Sequence, residues 1–116
     1  MIKTKSIFDP KEKSDGTRIL ITVGKPPDWL DHDEWIHELG PDWDTLNTWR
    51  YSRKTVEDWK RYEEKFLPKM NGEAAIKAIE ELRQRSKNGE IITLICYCKE
   101  GQYCHRYIIK LLIEDA

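Results

Sequence analysis

Residues 90–98, EIITLICYC, are apolar on both strand faces up to Tyr97. A strand of that kind must be covered on both sides, which is the situation of a central strand in a parallel sheet. A second β-branched run, TRILITV at 17–23, is an equally clear strand. It ends at GKPP (24–27), since proline cannot continue a central strand. IKTKSIF (2–8) reads as a further strand, followed by a polar loop that closes at Gly16. Long helical segments lie between the second and last strands. Such crossovers require a parallel or mixed sheet with helices packed on it. The expected fold is therefore a small α/β domain of about three strands, one unit spanning 1–116. A chain of 116 residues buries a real core without disulfides or metal.

The helices carry their own start and stop signals. Asp31 with Glu34 forms a capping pair, and Leu30 and Trp35 stand at the staple positions. Together they predict a helix with Trp35, Ile36 and Leu39 as its buried stripe, stopped by Gly40–Pro41. A short helix is expected over 43–50. Thr55 caps the next, Val56, Trp59 and Phe66 line one face, and Pro68 ends it. EAAIKAIEELRQRSK (73–87) is strongly helical through Ala75, Ile76, Ile79 and Leu82, with Gly89 as its stop. Residues 103–114 form a last helix, expected to be largely buried.

Charge excludes more than it selects. Twenty basic and 21 acidic residues leave a net charge of −1. That balance gives no general reason for a nucleic-acid or anionic-membrane partner. The chain has no 18-residue apolar run, so no membrane span is expected, and MIKTKSIFDP lacks the apolar region of a signal peptide. A cytoplasmic protein with reduced cysteines is expected. The odd count of three cysteines agrees, since it argues against a disulfide framework.

All three cysteines lie in ITLICYCKEGQYCHR, at positions 96, 98 and 104. Cys96 and Cys98 are two apart on a strand and share a face. Cys104, His105 and Arg106 open the last helix, where free backbone N–H groups and a partial positive charge favour a thiolate and an anionic ligand. Ligands in open α/β sheets bind outside the carboxyl ends of the strands, where the loops GKPPD and KEGQY are expected. Cys104 or Cys98 is thus the candidate nucleophile or redox thiol, His105 its acid–base partner and Arg106 an anion contact. Cys96, inside an apolar strand, reads as core. The distance from Cys98 to Arg106 is two residues too long for the Cys-x5-Arg cradle of tyrosine phosphatases. A four-ligand zinc site from Cys96, Cys98, Cys104 and His105 is disfavoured, because one pair lies along a strand and Cys104 and His105 are adjacent. These residues name an anionic small molecule as the ligand class, but no cofactor and no reaction.

Residues 26–49 hold seven carboxylates and four of the five tryptophans, with no Lys or Arg. The plain reading is that the acids start helices and the tryptophans form core. The alternative is a non-catalytic module that binds a protein or nucleic acid through this Trp-rich middle. Residues 50–69 carry seven basic against four acidic residues and are expected to pair with the acidic stretch. His32 and His37, five apart, would not share a helix face, so a metal pair is not expected. Asp15–Gly16 reads as a turn whose carboxylate reaches the site only if strand order allows. Ser14 and Ser52 have no visible base, leaving serine catalysis unsupported.

Over most of its length the chain resembles the family called domain of unknown function 488. IFDP…SDGTRILI resembles its opening strand–loop–strand. WIHELGPDWDTLNTWRYSRKTVEDWKRYEEKFLPKM resembles its helical middle, and ITLICYCKEGQYCHR its closing strand and Cys-His-Arg helix start. The resemblance implies a small α/β fold and no established activity. Many members carry a Trp-Pro-Arg-Gly-like element after the second strand. Here VGKPPDW stands in that place, which makes Lys25 the nearest basic counterpart and a second anion contact.

Overall fold

The computed structural model describes residues 1–98 and 102–115. Four parallel strands, β1 (Ile2–Ser6), β2 (Thr17–Leu20), β3 (Glu34–Trp35) and β4 (Ile92–Cys96), form one sheet in the order β1-β4-β2-β3. β4 is the inner strand the sequence required: Ile92 pairs with Ile2 on one side and Thr17 on the other, and all five of its residues are buried. β1 and β2 are neighbours in sequence but never touch, because β4 lies between them.

Alternation along the strands sorts the two faces. Ile2, Ile19, Ile21, Ile92, Leu94 and Cys96 point to one side, into a core shared with α1 (Trp43–Arg50), α2 (Val56–Met70), α3 (Glu73–Lys87) and α4 (His105–Glu114). On the other face a smaller cluster, Ile7, Leu20, Leu30 and Ile95, is covered by connecting loops. Beside it lies an unusual polar layer for a parallel sheet. Asp15 is fully buried and takes Arg18 and Lys5, the latter at 2.7 Å. Burial alone would raise the Asp15 carboxyl. Hydrogen bonds from Lys5, the Glu12 amide and Arg18 outweigh it and hold the group at about 2. Gly16 follows at φ +65°, and any Cβ there would overlap the Ile91 carbonyl. Asp15 precedes β2, so it sits at the amino ends of the strands, away from the candidate site.

The structure corrects the helix expected over 31–39. Asp33 and Glu34 are drawn elsewhere: the Arg18 amide donates to Asp33, and Arg85 donates to Glu34. The segment instead supplies the fourth strand, β3, and a 3-10 turn at His37–Leu39. α1 and α3 have the expected bounds. α2 runs two residues past Pro68, the expected stop, because Pro68 sits in its last turn. Val56, Ile76 and Leu111 are exposed rather than packed, so the α4 surface is less buried than its composition suggests. No helix among the described residues is long and apolar enough to cross a membrane.

Candidate functional site

α4 begins where β4 has just ended, with Cys104 as the extended N-cap residue at φ −155° and ψ 142°. The carboxyl ends of β2 and β4 and the amino end of α4 thereby meet. His105 fixes the junction: its ring is buried and its Nε2 lies 2.6 Å from the carbonyl oxygen of Ile21. A carbonyl only accepts, so Nε2 carries the proton and Nδ1 keeps its lone pair. That Nδ1 is 3.8 Å from Cys104 Sγ. Burial pushes His105 down to about 4, Arg106 and Lys69 act in the same direction, and the Ile21 carbonyl only partly opposes them. The ring is therefore neutral at neutral pH, with Nδ1 turned toward Cys104 Sγ.

Arg106 is fully buried, and it forms no part of the cavity wall among the described residues. This corrects the expectation of a direct anion contact. One guanidinium nitrogen donates to the Cys98 carbonyl at 2.6 Å and to Cys96 Sγ at 3.2 Å, and another donates to the Tyr107 hydroxyl. A guanidinium N–H directed at sulfur stabilises negative charge on the thiol pair from beneath.

The sulfurs of Cys96 and Cys104 are in contact, with their Cα atoms 7.9 Å apart. That span exceeds the roughly 4.4–6.8 Å of ordinary disulfides, so we read them as two thiols converging on one point. Cys96 is core, as expected, and it also belongs to the site. Cys96, Cys104 and His105 bring their ligand atoms within 4.8 Å of one another, contrary to the expectation that adjacent Cys104 and His105 would not converge. Cys98 is half-buried and outside that trio. Burial raises its thiol above the usual range, and Arg106 and Lys54 do not offset this.

These groups line a cavity of about 560 Å³ together with Lys25, which comes from the loop after β2 as that loop's position required. Lys99, Glu100 and Gly101, expected to form the facing loop, lie outside the described residues. The rest of the wall was not foreseen. Trp43, Trp49, Trp59, Tyr62, Tyr97 and Tyr103 supply rings, and Arg50 and Lys54 supply charge. Trp59 stacks between Tyr62 and Tyr103, with Trp49 edge-on to all three. No described residue of the wall is an Asp or Glu, in a chain with 21 of them. The expected pairing of the 26–49 acids with the 50–69 bases is reduced among the described residues to Lys69–Asp42. The RYSRK sequence at 50–54 was the available signal: three bases and no acid directly after a Trp-bearing helix. Nor do the tryptophans all form core, since Trp29 and Trp43 are 65% and 53% exposed.

No curated protein and no solved structure matches the chain. One family does: the profile of DUF488-N3a, described as the active DUF488-N3 subclade, matches residues 2–116. That match covers the sheet, the four helices and the Cys-His-Arg junction alike, and the chain accordingly belongs to the DUF488 family, in its N3a subclade.

Proposed function

We propose that the protein performs thiol chemistry on an anionic small molecule held at the carboxyl ends of β2 and β4. Cys104 is the nucleophile. Its S–H proton passes to Nδ1 of His105, whose tautomer is set by the Ile21 carbonyl. Lys25, Arg50 and Lys54 hold the anionic group, and Arg106 acts as a positioning residue behind the sulfurs. The observation that carries this reading is a cavity wall that combines cysteine, histidine and three cations with no carboxylate among its described residues. The subclade's description as active agrees with it and names no substrate. The chemistry requires reduced cysteines, which fits the reducing compartment expected from the sequence.

Alkylation of the reduced protein with iodoacetamide, read by peptide mass, tests the proposal. Cys104 should react faster than Cys98 at neutral pH, and inorganic phosphate should slow its reaction severalfold. Equal and slow labelling of both, unaffected by phosphate, would reject it.

A second reading is favoured by the Cys96–Cys104–His105 convergence: a metal ion bound by two sulfurs and Nδ1, with the Ile21 carbonyl orienting the ring from outside. Cobalt(II) titration decides between the two. Stoichiometric binding with sulfur-to-metal absorption bands that vanish in Cys104→Ser would favour the metal, and an unchanged spectrum would favour the free thiol.

A further inference from the structure

The cavity that would hold the anion is built mostly of rings, and this points to the rest of the ligand. The four stacked and edge-on rings, Trp49, Trp59, Tyr62 and Tyr103, are occupied with one another. Trp43 and Tyr97 differ. Both are more than 40% exposed, both face the cavity, and among the described residues neither packs against another ring. The Trp43 ring edge rests close to Gly24, where an added Cβ would lie 3.2 Å from it. Glycine at 24 leaves room for that ring edge beside the loop after β2.

The charges narrow the class further. Among the described residues no ion pair engages Lys25, Arg50 or Lys54. Three cations suit a doubly charged phosphate better than a single carboxylate. A volume of about 560 Å³ lies within the range of roughly 300–1,000 Å³ typical of small-molecule sites.

Resting on the reading of this cavity as an anion site, we propose that its ligand is a nucleotide. The base stacks on Trp43 and Tyr97, and the phosphate lies among Lys25, Arg50 and Lys54. Base-on-ring stacking tolerates any base, so the site reads ring plus phosphate rather than base identity. The same chemistry is offered by a free mononucleotide and by the phosphorylated end of a strand.

The test is tryptophan fluorescence of the whole chain titrated with adenosine monophosphate, adenosine, phenyl phosphate and inorganic phosphate, alongside Cys104 alkylation. Saturable quenching by adenosine monophosphate, at least tenfold tighter than by the other three, is expected. Trp43→Ala should weaken binding by roughly fivefold or more, the lower end of one stacked base. Lys54→Ala should weaken it about tenfold, as for a charged hydrogen bond. Far-ultraviolet circular dichroism confirms that both variants fold. A 5′-phosphorylated octanucleotide distinguishes the sources: tighter binding than the mononucleotide assigns a strand end, weaker binding a free nucleotide, and either upholds the ring-plus-phosphate site. If adenosine monophosphate binds no better than phosphate while phosphate still slows alkylation, the ring inference falls and the anion site stands. If neither protects Cys104, both fall.

Discussion

His105 shows how one buried side chain couples chemistry to stability. The folded protein keeps it neutral down to about pH 4, whereas an exposed histidine in the unfolded chain takes up its proton near 6.5. Between those values the unfolded state binds more protons, so stability falls as pH drops from about 6.5 to about 4 and the effect is complete below that. The full linkage is of order 3 kcal/mol. Urea unfolding of the wild type should therefore lose stability from pH 7 to pH 5, and His105→Gln should show a much flatter dependence across the same window. A wild-type slope matching the variant would mean that His105 titrates normally. Sequence reasoning placed His105 beside Cys104 at a helix start. It did not identify the carbonyl that sets the tautomer, because Ile21 is 84 residues away. The place of Arg106 is hidden for the same reason: a guanidinium next to a thiol in sequence gives no sign of which side of the sulfur it will occupy.

At the scale of elements, local signals were read well where the chain answers to itself. α3 kept its bounds, and the Thr55 cap formed with Asp58 as its reciprocal partner. Thr55→Ala should lower stability by about 1 kcal/mol, measured by denaturant midpoint, without altering Cys104 alkylation. The helix expected at 31–39 failed because its capping pair was recruited from outside. Glu34 bonds Arg85 on α3, which Glu90 also grips, and these two carboxylates raise the arginine well above its usual range. A local capping signal carries no information about a guanidinium 51 residues away. The aromatic wall is likewise invisible as a unit, since it draws on α1, α2, the loop after β2 and the two flanks of the Cys-His-Arg junction.

For the molecule as a whole, the sheet separates two kinds of polarity. The thiol cavity takes in Cys96 from one face, and Lys5 and Arg18, which hold the buried Asp15, project from the opposite face. Breaking that layer should cost stability while leaving the cavity intact. Asp15→Asn leaves Arg18 without its buried carboxylate partner, while Lys5 keeps Glu12, with an expected loss of about 3–5 kcal/mol. Cys104 alkylation by the folded variant should be unchanged. The wild-type contribution of Asp15 is present above its unfolded value near 3.8 and is lost as pH falls toward about 2. A variant with wild-type midpoints would show that the layer contributes nothing net.

The placement of β4 between β1 and β2 also governs how the chain can assemble. The first two strands have no partner in each other. A nascent polypeptide must extrude some seventy further residues before the segment that joins them leaves the ribosome. Loop closures of that length are slow and yield little until they are complete. Synthesis should therefore end in one late, concerted collapse, with α1, α2 and α3 already made while the polypeptide waits.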